Sequence, residues 1–554
     1  MRGALMRIDC IGRGCQALGL ALLALLIPQG PAQELVQAEE LLSPEASIAE
    51  VVDHYVGAKL DSLGVAPVDV AAPATLVRRI TLDLVGRPPT VHESREFITS
   101  TSQQRRAELL DRLFADPGFV RHQANEFDHL LMAGGESIRE YLLQAFGDGR
   151  NWDEIFRELL LGREDDAQQT GALRFVKTRV SDLDKLTNQT SVVFFGVNIS
   201  CAKCHDHPHV SEWTQDHFYG MKSFFNRTFD NGGLLGEREY GLVKFKTTAG
   251  ESRQASLMFL NGTVLEEPLS KDPTSEEQKA EKAKLEALKK KKQPPPAPAF
   301  SRRAQLVEVA LQAKENNYFA RAIVNKIWHR FFGVGLVMPI DQMHPENPPS
   351  HPQLIAWLAR DLVAHKYDLK RLMRGLQMSQ TYARSSRYAG EQRPDVRLFA
   401  TAVLRPLSRY QYATTLRMGS MNPDRFVVSD KIEELQKQIE SQENAARGFA
   451  GQIEQPYDGF QIGVTEALLM NNAAQVEKEF LSDSGDSLVG KLKTIADPRE
   501  LVEAAVWTVL NRPPDEQEIK SFEAYLARRA DRKLDSCRQL VWALLTSSEC
   551  RFNY

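Results

Sequence analysis

The chain lacks the features that most readily betray a function. Its 69 Lys and Arg stand against 73 Asp and Glu, a formal charge of -4, so no excess of either sign points to nucleic acid or to an anionic membrane surface. The N-terminal apolar run at residues 17–27 has eleven residues, short of the roughly 20 that a bilayer-spanning helix needs. Nothing resembles a nucleophile elbow, a phosphate-binding glycine loop or a helical zinc-protease motif. Cysteines number only 6 and histidines only 12 in 554 residues, which makes any local crowding of the two conspicuous.

What is present begins with a leader-like segment. Arg2, Arg7 and Arg13 precede that apolar run, and "PQGPAQ" follows it, the layout of a secretory signal peptide over residues 1–32 with cleavage after Ala32. The reading implies a periplasmic or secreted protein with no permanent membrane span after cleavage. It also removes Cys10 and Cys15, leaving Cys201, Cys204, Cys537 and Cys550 in a compartment where thiols oxidise or become occupied.

At roughly 150 residues per domain the length allows about three or four units. Apolar residues recur at helical spacing through most of residues 45–228, as in "QRRAELLDRLFADPGF" and "NWDEIFRELLLG". Residues 229–270 change to alternation (Val243, Phe245, Thr247) and predict a small β-hairpin insertion. Residues 271–299, rich in Lys, Glu and Pro, read as a solvated linker. Helical pattern then resumes over 300–554, with Phe319, Ile323, Ile327 and Phe331 four apart. The expected fold is mainly α: two helical domains, a β-hairpin insertion and a charged, proline-rich linker. One internal echo stands out. "LVRRITLDLVGRPPTVHESREFI" and "AAVWTVLNRPPDEQEIKSFEAYL" share an apolar helix, Arg-Pro-Pro, a polar cap at Thr90 or Asp515, and a second helix, because the residue before proline leaves the α region and a capping side chain restarts the helix.

The chemistry concentrates in "CAKCHDHPHVSEWTQDHF". Cys201, Cys204 and His205 spell C-x-x-C-H, and His205, His207, His209 and His217 fall within thirteen residues. Two thiols on one helical turn can bond the two vinyl groups of a haem while the next histidine ligates its iron. The sixth iron position would fall to His207, His209, His217, Met221, Met343 or His344. The same segment can instead hold a Zn or Fe ion through Cys201, Cys204, His205, His207, His209 and His217, with Asp206 orienting an imidazole; with an open position such an ion activates water for hydrolysis. A redox dithiol with Lys203 lowering a thiol pKa and a disulfide-stapled turn complete the alternatives. Trp213, Phe218, Tyr219, Phe224 and Phe225 read as core. "HPENPPSHP" places His344, Glu346 and His351 in one loop, read as rigid packing between domains. Cys537 and Cys550, thirteen residues apart on a helical pattern, are expected as separate buried thiols.

"RRITLDLVGRPPT", "FFGVNISCAKCHDHPHVSEWTQDHFYGMKSFF", "NNYFARAIVNKIWHRFFGVGLVMPIDQMHPENPPSHPQLIAWLARDL" and "VWALLTSSECRFNY" resemble the secreted cytochrome-like proteins abundant in planctomycetes, which pair a cytochrome-like domain of unknown function with a C-terminal domain of unknown function. The likeness covers nearly all of the expected mature chain, the linker least. It implies export, two domains, a C-x-x-C-H motif and no established reaction. Many relatives carry a further small cytochrome c module upstream; here the leader runs straight into the paired domains, so any haem would be a single one. Ser548-Glu549-Cys550 departs from the usual Ser-Glu-Phe-like end. The reading carried forward is a single c-type haem (haem c) serving electron transfer or haem-dependent redox chemistry with a redox partner protein that the sequence does not identify. Its alternatives are a Zn- or Fe-binding scaffold or hydrolase, and a surface interaction protein whose cluster is structural.

Overall fold

The structure, a computed structural model, describes residues 41–163, 165–208, 210–268, 273–312, 317–426, 432–456, 463–472 and 474–554; the expected signal peptide lies outside the described residues. The fold is mainly α. No helix among the described residues is long and apolar enough to cross a membrane.

Local sequence starts and stops the helices. Ile48–Leu63 begins in a capping box between Ser47 and Glu50 and ends at Gly64, whose φ of 65° is left-handed. Arg105–Ala115 buries Leu109, Leu110 and Leu113; spacing puts Leu110 and Leu113 on the inward face with Ala107 and Phe114, which are only half-buried. The Asp116-Pro117-Gly118 stop is also a start, because the Asp116 carboxylate accepts from the Gly118 N–H and opens Pro117–Met132.

Apolar side chains gather into two main cores. One draws on residues from Ile48 to Ala400. Its centre is aromatic: Trp152 stacks on Phe319 at 6.0 Å and Phe156 lies 4.6 Å from the same ring, so the helix Tyr318–Phe332 is built into the helices of the N-terminal half. The other core runs from Leu407 to Cys550 and also takes in Leu82. Cys537 and Cys550 lie buried there as separate thiols, as expected.

The Arg-Pro-Pro echo is a structural duplicate. The helix Pro73–Val85 ends at Gly86 (φ 72°) and Pro498–Leu510 ends at Asn511 (φ 60°), both left-handed. In each copy the arginine donates to the carbonyl of the next proline at 3.1 Å, Arg87 to Pro88 and Arg512 to Pro513. Each arginine also grips the glutamate of the following capping box with both Nη atoms, Arg87 with Glu93 at 2.8 and 2.9 Å, Arg512 with Glu518 at 2.8 and 2.7 Å. A second carboxylate closes each knot, Asp116 in one and Glu549 in the other. The two copies touch: Arg78 Nη1 donates to Asn511 Oδ1 at 2.6 Å, and Asn511 Nδ2 donates to the Pro89 carbonyl at 2.9 Å.

The stop residues of the duplicates are not interchangeable. A Cβ on Gly86 would stand 2.3 Å from His122 Nδ1, so Gly86→Ala is expected to cost roughly 2 kcal/mol or more, from left-handed strain plus overlap. Asn511→Gly relieves a strained φ yet deletes two buried hydrogen bonds, for a net loss of about 1 kcal/mol. Denaturant unfolding of both variants checks the asymmetry, and equal effects would refute it.

Residues 228–265 form three short antiparallel hairpins where the sequence predicts one. They pair Thr228–Asp230 with Leu235–Glu237, Lys244–Lys246 with Ser252–Gln254, and Leu257–Met258 with Val264–Leu265. Phe245 is buried between exposed Lys244 and Lys246, the alternation read from the sequence. Part of the linker region is the helix Ser275–Lys290, which buries none of its own side chains but is held against the first hairpin by the Asn231 Nδ2 bond to the Leu285 carbonyl at 3.1 Å and by the Tyr240–Glu281 contact. Beyond the linker, Glu237 in that hairpin caps the helix Arg302–Gln312. Its carboxylate accepts from the Arg302 N–H and the Ser301 hydroxyl, both at 2.6 Å, where the helix dipole favours an anion.

Candidate functional site

The helix Leu183–Phe195 delivers the chain to the C-x-x-C-H turn. Asp182 caps its start, and it stops at Gly196 with φ 67°. That left-handed backbone is why this stop is a glycine, and a Cβ there would only reach ordinary contact with Ala322 and the Ile340 carbonyl oxygen at 3.4 Å. The next residues pair with the loop that follows Tyr318–Phe332: Val197 bridges Gln342, Asn198 N–H donates to the Asp341 carbonyl at 2.8 Å, and Met343 N–H donates to the Gly196 carbonyl at 2.9 Å. Sequence-distant chain therefore braces the motif directly.

Asn198 Oδ1 accepts from the Ser200 hydroxyl at 2.7 Å and opens a 3-10 turn over Ser200–Lys203. In a 3-10 turn residues i and i+3 eclipse, so Cys201 and Cys204 share one side, over buried Ala202. Both thiols are free and exposed. Two hydrogen bonds hold the Lys203 carbonyl, from Gln215 Nε2 at 3.3 Å and the Tyr219 hydroxyl at 3.2 Å. The Lys203 ammonium, which the dithiol alternative sets beside a thiol, is paired with Asp184 at 2.8 Å, where Lys222 also sits at 2.6 Å. Burial would raise the Asp184 carboxyl, but bonds to the two lysines prevail and hold it below the usual carboxylate range.

The histidines separate by environment. His205 is exposed, and its Nδ1 lies 2.7 Å from the Asp206 carbonyl oxygen. A carbonyl only accepts, so Nδ1 carries the hydrogen and the neutral ring keeps its lone pair at Nε2. Asp206 itself accepts from the Gln215 N–H at 3.1 Å and fixes the start of Gln215–Ser223. His207 turns inward: it is buried, its N–H donates to the Trp213 carbonyl at 2.7 Å, and its ring meets Trp213 edge-on at 5.5 Å and His344 at 6.1 Å. His217 sits on Gln215–Ser223 with Nδ1 3.4 Å from the Thr214 hydroxyl, and burial lowers its pKa. His209 lies outside the described residues. The structure thus brings Cys201, Cys204 and His205 together on one exposed turn, while His207 joins Trp213 and His344 beneath. Among the described residues no three His, Cys, Asp or Glu side chains stand together as a metal-ion cage.

In the proline-rich loop, His344 belongs to this cluster, but His351 does not. It is buried beside Phe399 at 5.4 Å, bonds the Ser350 hydroxyl at 3.0 Å, and is pushed down to about 4 by burial.

The sequence reading missed the supporting polar groups. Lys326 is buried and donates to the Val192 carbonyl at 3.1 Å; burial pushes its ammonium down to about 8 although Asp341 pulls the other way. The signal was a lysine inside an apolar helical run, "AIVNKIW". Asp184 and Gln215 gave no such signal.

For a haem, the donor set fits: two free exposed thiols sharing one side of a turn, and an imidazole with its lone pair at Nε2. Two small cavities, of about 10 and 20 Å³, lie away from the turn, on which both thiols are exposed.

Residues 51–230 match the family model PSCyt2, described as a protein of unknown function (DUF1549). Residues 302–455 match PSD1, described likewise (DUF1553). No curated protein and no solved structure matches the chain. Cys201 to His217 fall in the first matched region, and Lys326, Met343 and His344 fall in the second. The chain is therefore similar to two families of unknown function in succession, the first with a cytochrome-like name, and the candidate site is built where their matched regions touch.

Proposed function

We propose that the protein is an exported cytochrome-like electron carrier bearing one covalently held haem c on the Cys201–His205 turn. The observation that carries the reading is the His205 Nδ1 bond to the Asp206 carbonyl, which leaves Nε2 as the ligand atom, the arrangement that orients metal-binding imidazoles generally. Cys201 and Cys204 hold the group as thioethers. The haem supplies one-electron redox chemistry, and the chain sets its potential through ligand identity, burial and nearby charge. Lys203 and Lys222 share the Asp184 carboxylate, and Gln215 and Tyr219 hold the Lys203 carbonyl, so the turn is fixed at two points. With haem bound, a sixth ligand would have to come from His207, His209, His217, Met221, Met343 or His344. The redox partner is a protein that meets the exposed turn.

Export of the full chain with a c-type cytochrome maturation apparatus tests this. The expected result is a Soret band together with haem that stays on the denatured polypeptide. Cys201→Ser/Cys204→Ser is expected to lose all covalent haem. His205→Ala is expected to shift the spectrum toward a high-spin form. A folded chain with no covalent haem overturns the reading, and zinc or iron found in that sample at one equivalent would favour the metal-ion scaffold or hydrolase instead.

A further inference from the structure

Gln215, the first residue of the helix Gln215–Ser223, ties together three segments of chain. Its Nε2 donates to the Lys203 carbonyl at 3.3 Å, its Oε1 accepts from the Thr248 N–H at 3.0 Å, and its own N–H donates to Asp206 Oδ1 at 3.1 Å. The residue is buried. Lys203 comes just before Cys204 and Asp206 just after His205, so one residue holds the chain on both sides of the thiol and the imidazole. A carbonyl only accepts and a backbone N–H only donates, which leaves the amide one orientation that serves both partners. Glutamate would set an oxygen against the Lys203 carbonyl, and leucine would bond neither group.

Thr248 lies at the tip of the hairpin that pairs Lys244–Lys246 with Ser252–Gln254. There the Gly250 N–H donates to the Thr247 carbonyl at 2.8 Å and the Thr247 N–H donates to the Glu251 carbonyl at 2.9 Å, so the tip is closed without help from Gln215. The same hairpin meets the helix twice more. Phe245 stacks on Tyr219 with ring centres 4.1 Å apart, and Arg253 pairs with Asp216 at 3.1 Å. The Tyr219 hydroxyl in turn donates to the Lys203 carbonyl at 3.2 Å. Both side-chain donors to that carbonyl are therefore backed by the hairpin, Gln215 through a hydrogen bond and Tyr219 through a ring stack.

We infer that Gln215 is a positioning residue for the haem-bearing turn, a role that rests on the haem reading, and that the hairpin acts through it on the Cys204 side of that turn. The peptide joining Lys203 to Cys204 is planar, so the two bonds on its oxygen fix the backbone from which the Cys204 thiol projects. A haem held by two thioethers needs both sulfurs on one side of the turn at once. Without the Gln215 amide one of those two bonds is gone, and the Cys204 end of the turn loosens. The His205 side is spared, because the bond to Asp206 comes from the Gln215 main chain and survives a change of side chain.

Gln215→Leu and Thr248→Pro in the full chain test it. Proline suits the second residue of a four-residue turn, and at Thr248 it removes the N–H that Gln215 Oε1 receives while leaving the bonds that close the tip. Made with the maturation apparatus, both variants are expected to attach haem, but with a large share held through Cys201 alone and Cys204 left as a free thiol, read by peptide mass. Made without it, Gln215→Leu is expected to quicken amide exchange across residues 200–206 about fivefold, the factor for one neutral hydrogen bond. The double variant is expected to add little, because both changes break one bridge. Should Gln215→Leu not fold, Thr248→Pro decides alone. Full two-thioether attachment in the variants overturns the inference, whatever the exchange rates. A wild-type chain that takes up no haem defeats the haem reading instead; exchange then decides, and unchanged rates overturn the positioning role.

Discussion

Replacing Asp83 by alanine is expected to remove about 3–5 kcal/mol of stability, the range for breaking a buried ion pair by deleting one partner. One carboxylate here receives Arg405, Tyr382 and Asn553, and its residue is 2% exposed. The loss would leave a guanidinium, a phenol and an amide in the interior without their acceptor. Equilibrium unfolding of Asp83→Ala measures the loss. Asp83→Leu/Arg405→Met separates the two sources of that cost. If the penalty comes from the stranded cation, the double variant recovers much of it; if it equals Asp83→Ala, the cost is loss of packing and the ion-pair argument fails.

Acid sensitivity is expected to trace largely to Glu93. Burial would raise this carboxyl, but the Arg87 charge and hydrogen bonds outweigh that and bring it to about 2 from an ordinary value of 4.5. A folded pKa below the unfolded one gives stability that is fully present above about pH 4.5 and is lost as pH falls toward 2. The depression is worth on the order of 3 kcal/mol at neutral pH. Glu93→Gln should therefore lose about that much at pH 7 and show a flatter stability curve between pH 4.5 and 2. In the duplicate, bonds from Arg512 hold Glu518 low against burial, and Glu549 remains to receive Arg512 at 2.5 Å. Glu518→Gln should flatten the curve less. Parallel acid titrations of the two variants with the wild type decide, and an unchanged slope in Glu93→Gln contradicts the assignment.

The readable parts of this protein were the local ones. Helix faces such as Leu110 and Leu113 follow from spacing, and Thr90 and Asp515 cap where their side chains can reach N–H groups three residues on. The Arg-Pro-Pro echo was visible, but the second carboxylate that closes each knot was not, because Asp116 and Glu549 arrive from outside the quoted pattern. One hairpin was expected and three occur, since only the strand around Phe245 alternates visibly and the others, two or three residues long, carry no such pattern. At the site, the clustering of Cys201, Cys204 and His205 was legible from their spacing alone. The inward turn of His207 was not, because it depends on Trp213 and on His344 from a loop more than a hundred residues away. The engagement of Lys203 by Asp184 rests on a tertiary contact that no spacing rule encodes.

The contact between the two Arg-Pro-Pro duplicates has a kinetic side. Arg78 meets Asn511 across 433 residues of chain, and Asp83 meets Asn553 across 470. Contacts of such sequence separation carry a large loop-closure cost before they return any stabilisation. As the chain emerges from its N-terminal end during synthesis, the helix Pro73–Val85 must wait for Arg405 to pair Asp83 and longer still for Asn511 and Asn553 to reach Arg78 and Asp83. The early region then keeps part of its polar surface unpaired for most of its synthesis, and the closing of residues 511–553 onto it becomes a late step of folding.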